Sequence, residues 1–494
     1  MEPRGLYIGG KWRESQAGGL LESLSPVDGQ VLGQFQKGSR RDLDLALEAA
    51  LGALAGWRGT PAPRRGEILL RAGALLKGRK EELASTISLE VGKVLAEARG
   101  EVQEAIDFLE YVAGEGRRLL GQTTPSELPG KICMTVRQPV GIVGCITPWN
   151  FPVAVPVWKL GAALIAGNCV VFKPASLTPL CAVRLVEVLE EAGIPPGVLN
   201  MVVGGAQEVG QALVEHPAVR VISFTGGLAA GKEVYWRGAC GLKRVGLELG
   251  GKNPMIVLED ADLDLAVDGV LFGAFGTSGQ RCTSTSRLIL QAGIHEPMLG
   301  MLLERIQGLK LGHPLDDSVQ MGPVSGPDQE KKILGYISLA HEEGARLLCG
   351  GAKALEAPLD RGHFIYPTVF EAAPHMRIAR EEIFGPVLSV IRVKDYQEAI
   401  EVANQVDYGL SSSIYTRDIN LAFRAIQELE TGITYVNAPT IGAEVHLPFG
   451  GVKHSGNGTR EAGPTAIEEF TELKTVFLDY SGRLQKAQMR QENY

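Results

Sequence analysis

Blocks of like charge, paired cysteines and membrane-length apolar runs are all missing from this chain, and each absence removes a class of function. With no Lys/Arg-rich block and a formal net charge of −8, a nucleic-acid-binding surface is disfavoured. Seven cysteines occur, Cys133, Cys145, Cys169, Cys181, Cys240, Cys282 and Cys349, an odd number without C-x-x-C or Cys/His ligand spacing. That pattern indicates neither a disulfide framework nor a zinc or other metal site, and it suits a reducing cytoplasm. Met1-Glu2-Pro3-Arg4-Gly5 lacks the apolar core of a signal peptide. The most apolar stretch, Val153 to Gly167, is interrupted by Lys159 and is too short to span a bilayer.

What remains is an ordinary soluble composition, 45% apolar and 21% charged, spread over 494 residues. A chain of that length predicts two or more domains. Periodic apolar positions such as Ile68, Leu69, Ala72, Leu75 and Leu76 predict helices from about Leu43 to Leu120. A β-rich piece around Ile132 to Ile146 follows. Strands at Cys169–Phe172, Val198–Val203 and Val219–Phe224 then alternate with helices at Leu180–Ala192 and Glu208–Glu215. This alternation predicts a doubly wound α/β domain. A second α/β series runs from Asn253, through a helix from about Ala261 to Phe275, Arg287–Leu290 and Met298–Gln307, to a strand near Pro386–Ile391. Phe470 to Asp479 reads as an exposed strand, which either pairs with another subunit or folds back on its own sheet.

Chemistry concentrates on a few short strings. Cys282 lies in Ser278-Gly279-Gln280-Arg281-Cys282-Thr283, and Glu248 lies 34 positions earlier in Leu247-Glu248-Leu249-Gly250-Gly251-Lys252. A thiol and a carboxylate on separate Gly-rich turns are the parts of covalent catalysis at a carbonyl. Each alone also reads as a buried small hydrophobe or a solvated charge. Asn150, between Pro148 and Pro152, reads on these residues alone first as a cap on the helix starting near Val153, and it also suits an oxyanion donor. Phe172-Lys173-Pro174-Ala175-Ser176 sits just past a strand, where ligands of open α/β sheets bind. Phe224-Thr225-Gly226-Gly227-Leu228-Ala229-Ala230-Gly231-Lys232 could admit a pyrophosphate to backbone amides. It nearly matches a P-loop, but Glu233 replaces the magnesium-binding hydroxyl, which excludes a nucleotide hydrolase. No G-x-G-x-x-G occurs in this region. Glu382 and Phe384, in Glu381-Glu382-Ile383-Phe384-Gly385-Pro386, suit ribose and nicotinamide contacts; in isolation they read as an ion-pair partner and a core side chain.

Taken in order from about Tyr7 to Asp479, these strings resemble the aldehyde dehydrogenase superfamily. The resemblance implies a Rossmann-like NAD(P)-binding domain from 1–118 and 140–249 and an α/β catalytic domain from 250–450. It also implies a small β oligomerisation arm from 119–139 and 466–494. It implies that Cys282 attacks the aldehyde, that Asn150 and the Cys282 N–H hold the oxyanion, and that Glu248 activates the deacylating water. Trp149, Lys173, Ser176, Thr225, Gly226, Gly227, Glu382 and Phe384 would contact NAD or NADP. Phe151, Trp158, Arg281 and Phe449 would line the aldehyde tunnel, and Glu461 would relay protons to Glu248. Phe151, Trp158 and Phe449 are equally consistent with hydrophobic core. A homodimer or homotetramer is implied, with Glu472 at an interface position.

Relatives that transfer the acyl group to coenzyme A generally lack a glutamate at the Glu248 position, so water is the expected deacylating nucleophile. Two departures matter. Ser176 stands where many NAD-specific relatives carry Glu, removing a charge that would repel a 2′-phosphate, with Lys173 three residues away. Gly227 replaces a common Ser. The segment Asn437 to Leu447 and the nucleophile string look most like semialdehyde-oxidising branches, the α-ketoglutaric (2,5-dioxovalerate) and aminoadipic semialdehyde enzymes. Arg281 and His446 could meet an anionic tail; Arg281 could instead pair with a carboxylate of the protein. The alternatives are a cysteine-dependent ester or thioester hydrolase without redox turnover and a catalytically silent structural relative.

Overall fold

A computed structural model describes residues 2–16, 18–486 and 488. Its centre is a seven-stranded sheet whose parallel part runs Arg244–Glu248, Val219–Thr225, Ile142–Ile146, Cys169–Lys173, Leu199–Met201. Leu6–Ile8 and Lys11–Arg13 extend it antiparallel, an addition at the chain start that the sequence pattern did not signal. Ile142–Ile146 and Cys169–Lys173 are buried at every position, as expected of parallel strands covered by helices on both faces. Four helices, Arg40–Gly59, Ala62–Gly78, Lys80–Val91 and Leu95–Glu115, occupy the region read as helical. The first starts at a capping box. Ser39 Oγ accepts from the Asp42 N–H, and the Asp42 carboxylate accepts from the Ser39 N–H.

The chain order places a topological switch in this sheet. From Ile142–Ile146 the chain moves outward through two strands on one side, then returns to lay Val219–Thr225 on the other side. The crevice at the carboxyl ends of these strands is where open α/β sheets bind ligands. Two local readings shift. The strand expected over Val198–Val203 is confined to Leu199–Met201, and the helix expected over Glu208–Glu215 begins as a π-helical stretch, Ala206–Gln211, before Ala212–Glu215.

A second sheet runs Arg346–Cys349, Thr368–Glu371, Val387–Val393, Thr285–Gln291, Asn253–Val257, Ser411–Tyr415, Ile433–Val436, parallel except at its first strand. A third, small sheet pairs Thr471–Asp479 with Lys131–Pro139 along nine residues of each, and Thr123–Pro125 with the other edge of Lys131–Pro139. The terminal strand therefore folds back on its own chain. Among the described residues its outer edge has no partner, and Leu473, Phe477 and Leu478 stay exposed. Ala466, Ile467 and Phe470 are buried in the core of the first sheet, so this strand leaves the main body only after Phe470. Residues 487 and 489–494 of the expected arm lie outside the described residues. No described helix is long and apolar enough to cross a membrane.

Candidate active site

The two large sheets are joined by a short turn. Glu248 ends the last strand of the first sheet, Asn253 begins the second, and Leu249-Gly250-Gly251-Lys252 crosses between them. Here the glycines serve a steric need. A Cβ on Gly251 would stand 2.6 Å from the Cys282 carbonyl oxygen, so only glycine lets the two turns touch. Asn253 then bonds the nucleophile turn directly, its Nδ2 donating to the carbonyls of Cys282 (2.8 Å) and Ser284 (2.9 Å).

The turn before Cys282 is wound the unfavourable way. Thr277, Ser278 and Gly279 have φ of 53°, 53° and 69° in succession. Left-handed backbone costs an L-residue about 1–2 kcal/mol, so neighbours must impose this shape. Several do. The Glu97 carboxylate accepts from the Thr277 N–H (2.9 Å) and hydroxyl (3.1 Å), Ser278 Oγ donates to the Gly322 carbonyl (2.7 Å), and Gln280 Oε1 accepts from the Ser325 N–H (2.9 Å). Asn150 adds a further hold, its Nδ2 donating to the Gln280 carbonyl at 2.9 Å. An amide nitrogen carries two hydrogens, so one engaged with Gln280 fixes the plane in which the other points.

Cys282 itself is half-buried. Burial, followed by the nearby charges of Glu382 and Glu248, pushes its thiol up to about 12, against the opposing pull of the Thr283 and Cys282 N–H groups. The free site thus holds a protonated sulfur that needs a base. Glu248 is 3% exposed and neither of its oxygens has a hydrogen-bond partner among the described residues. Burial, then the charge of Glu461, raises its carboxyl well above the usual range, while Lys159 and Arg460 oppose. A carboxylate without a partner among the described residues, with a raised proton affinity and a charge that acts on the thiol, has the chemistry of a general base.

Behind Glu248 lies a buried charge cluster. Glu461 pairs with Lys159, which also donates to Ser223 Oγ (3.1 Å). Burial disfavours the Lys159 ammonium, but Glu461 and Glu469 outweigh it and hold its proton more firmly than usual. Glu469 is pushed by burial to about 7, despite the pull of Lys159. Glu461 also exchanges two backbone hydrogen bonds with Phe449 (2.6 and 2.7 Å), and Phe449 meets Trp158 edge-on at 5.2 Å. Sequence reasoning missed the role of Lys159, although a single lysine interrupting an apolar helix was a legible signal.

On the cofactor-side crevice, Lys173 is buried, and burial lowers its ammonium to about 8. Its one hydrogen bond among the described residues goes to the neighbouring Pro174 carbonyl (3.2 Å). Ser176 Oγ donates to the Gly204 carbonyl (3.1 Å). Among the described residues Thr225 Oγ1 is buried without a partner, and Gly227 precedes the helix Leu228–Cys240 with no side-chain cap on its first N–H groups. The Gly226 N–H is already used by the Glu248 carbonyl (3.1 Å), and a Cβ at Gly226 would run into the Phe224 ring. Free N–H groups at a helix start, an unpartnered hydroxyl and an unpaired ammonium at a topological switch fit a phosphorylated dinucleotide.

Trp149 meets Phe384 edge-on at 5.5 Å, and Phe384 is itself left-handed, with φ 62°. Gln329 Nε2 holds that turn through the Phe384 carbonyl. Glu382 Oε1 accepts from the Gly251 N–H at 3.0 Å, so it lies beside the linker turn; burial raises its carboxyl while Lys332 pulls it down. Lys332 and Gln329 came from no motif in the sequence; only the fold brings them to Glu382 and Phe384.

In the tunnel region, Phe151 is sandwiched between cations, with Lys93 Nζ 3.6 Å and the Arg281 guanidinium 5.5 Å from its ring centre. Arg281 is paired with Glu97 (3.3 Å), the second of its two sequence readings. His446 is exposed and lies 3.5 Å from Glu444, not against Cys282.

Residues 12–476 match the model of the "Aldehyde dehydrogenase family". An alpha-ketoglutaric semialdehyde dehydrogenase of Bacillus subtilis is 41% identical over 96% of this chain and 97% of its own length. A 2,5-dioxopentanoate dehydrogenase of Saccharolobus solfataricus is 41% identical over 94% of this chain and 98% of its own. Among solved structures, a betaine aldehyde dehydrogenase from Staphylococcus aureus in complex with NAD+ superposes with a TM-score of 0.95 at 34% identity, covering 98% and 97% of the two chains. An NADP-dependent enzyme of E. coli superposes with a TM-score of 0.93 at 37% identity, covering 97% and 98%. The chain belongs to the aldehyde dehydrogenase family, whose members are oxidoreductases acting on the aldehyde group.

Proposed function

We propose that this chain oxidises a semialdehyde with an anionic tail to the carboxylate, using NAD or NADP, by covalent catalysis at Cys282. The observation that carries the reading is a half-buried thiol on which the charge of Glu248 acts, with the Glu248 carboxylate buried and unpartnered among the described residues and the Asn150 amide fixed to the Cys282 turn at Gln280. Glu248 takes the thiol proton, and the Cys282 sulfur adds to the aldehyde carbon. The second N–H of Asn150 and the Cys282 backbone N–H receive the negative oxygen of the thiohemiacetal. When bound, the dinucleotide supplies the acceptor for the hydride that leaves this carbon, turning the adduct into a thioester. Glu248 first gives up the thiol proton, then takes a proton from water, the resulting hydroxide adds to the thioester, and the sulfur departs with release of the carboxylate. Glu461, whose charge acts on Glu248, would accept each proton that Glu248 gives up, and the Lys159 ammonium pairs with it without accepting a proton itself.

Lys173, Ser176, Thr225, Gly227, Glu382 and Phe384 would hold the dinucleotide, with Trp149 against Phe384. Ser176 is uncharged, so no carboxylate there repels a 2′-phosphate, and NADP-linked turnover is expected. The semialdehyde dehydrogenases that share about two-fifths of this sequence support a dicarboxylic product. For the tail, Arg281 and His446 are the cationic candidates, and each already shares its charge with a carboxylate, Glu97 and Glu444. Selectivity for an anionic tail should therefore be moderate. The exposed Leu473, Phe477 and Leu478, with Glu472, on a strand whose outer edge is free suit pairing with a second copy, giving a homodimer or homotetramer. Seven free cysteines suit a reducing cytoplasm.

The test is a panel of semialdehydes (succinic, glutaric, 2,5-dioxovaleric, aminoadipic) mixed with NAD or NADP and followed by the absorbance of reduced nicotinamide. The expected result is turnover with both dinucleotides, fastest with 2,5-dioxovalerate. Ester cleavage with no nicotinamide reduction by any aldehyde would replace this reading with a hydrolase.

A further inference from the structure

We infer that Glu97 is a positioning residue for the nucleophile, holding the left-handed turn Thr277-Ser278-Gly279 so that the Cys282 sulfur stays facing Glu248 and Asn150. The inference rests on the reading of Cys282 as nucleophile. Glu97 lies in the first turn of the helix Leu95–Glu115, where an acidic residue would ordinarily serve only the exposed N–H groups of its own helix. Here its carboxylate leaves that helix and reaches the opposite sheet's approach turn. Oε1 accepts from the Thr277 N–H (3.0 Å) and from Arg281 Nη2 (3.3 Å). Oε2 accepts from the Thr277 N–H (2.9 Å) and the Thr277 hydroxyl (3.1 Å).

Arg281 Nε donates back to Thr277 Oγ1 (3.0 Å). Glu97, Thr277 and Arg281 thus form a closed ring of hydrogen bonds across the five residues that end one position before Cys282. Gly276 completes the fit, since a Cβ there would stand 2.9 Å from Glu97 Oε1. Asn150 reaches the same turn from the same side at the Gln280 carbonyl, so the turn is tied to the cofactor-side body at two points. The ties of Ser278 to Gly322 and of Gln280 to Ser325 lie within the catalytic side and survive loss of Glu97. A Glu97→Ala chain should therefore fold with its turn loosened, not lost.

The experiment compares the unaltered chain, Glu97→Ala and Glu97→Gln by single-turnover formation of reduced nicotinamide, and by iodoacetamide alkylation of Cys282 followed across pH by peptide mass. Glu97→Ala should lower the single-turnover rate constant by about 10- to 100-fold, with near-stoichiometric amplitude and the dinucleotide KM within about twofold. Its alkylation midpoint should fall by about one pH unit, because a loosened turn lets more water reach a half-buried sulfur whose thiolate its surroundings now disfavour. Glu97→Gln keeps an oxygen for the Thr277 N–H and should recover most of the rate. An unchanged rate constant with reduced amplitude only, or an unmoved alkylation midpoint, would overturn the inference, since a merely structural glutamate produces that pattern. If the unaltered chain reduces no nicotinamide, the proposed function falls, while the alkylation comparison still decides the role of Glu97.

Discussion

Glu97 and Glu248 are two little-exposed glutamates that our proposals assign to the same cysteine, and their surroundings differ completely. Both oxygens of Glu97 are occupied by Thr277 and Arg281, whereas neither oxygen of Glu248 has a partner among the described residues. A saturated carboxylate gives up its freedom to fix geometry; an unsatisfied one keeps a high proton affinity and a destabilising burial. The division explains why the nucleophile's loop can be strained and rigid while its base remains chemically available.

The contrast can be broken at several points. Replacing the unsatisfied member should have the largest effect. Glu248→Gln is expected to lower kcat by about 10²- to 10⁴-fold, the usual worth of a general base, in steady-state assays. Near-normal turnover would assign the base elsewhere. Next comes Asn150→Ala, expected to lose about 10²- to 10³-fold in kcat with little change in dinucleotide KM, as for removal of one oxyanion donor.

The pH profile should show the unsatisfied carboxylate directly. Because burial raises both Glu248 and Cys282, and the pair must lose one proton before the sulfur can add, kcat/KM should climb as pH rises from neutral into the alkaline range. A flat profile would mean that neither ionisation limits the reaction. Stability should run the other way. A carboxyl whose folded-state proton affinity exceeds its unfolded one favours folding at low pH, and that contribution is lost as pH rises from the unfolded value of about 4.3 through the raised folded one. Glu248→Gln should therefore be more stable than the unaltered chain at pH 8, by about 1 kcal/mol or more in denaturant titration, with no advantage at pH 4. Loss of stability at pH 8 would show that Glu248 has a partner in solution.

The smallest expected effect lies furthest from the sulfur. Ser176→Glu should suppress NADP-linked turnover about tenfold or more and leave the NAD-linked rate within about threefold. Equal loss with both dinucleotides would mean that Ser176 matters through its bond to Gly204 and not through the missing charge.

Much of this site was legible in the sequence because its parts sit on short Gly- and Pro-marked turns at strand ends. Cys282, Glu248, Asn150, Lys173 and Glu382 all belong to such strings. Long-range partners were not legible. Glu97 is 185 positions from Cys282 and looks like any acid in a helix's first turn. Lys159 was read only as a break in an apolar run, because its partner Glu461 lies across the fold. Arg281 was left open between substrate and protein, and the structure gives it a protein carboxylate, Glu97. Among the elements, the alternation of the first sheet was recovered, while in the second the helices Pro327–Glu342 and Ile419–Glu428 and the strand Ser411–Tyr415 were not read. The two short N-terminal strands were not, since three-residue segments carry too little pattern to separate from loop.

The central claim is that carbon becomes bonded to the Cys282 sulfur and that Glu248 is needed to free it. Glu248→Gln, mixed with a semialdehyde and NAD or NADP, should give no more than one equivalent of reduced nicotinamide per subunit, formed more slowly than in the unaltered chain because the thiol has lost its base. Peptide mass spectrometry should then find the acyl group on Cys282. An acyl group on any other side chain, or repeated turnover with Cys282 unmodified throughout, would contradict the account.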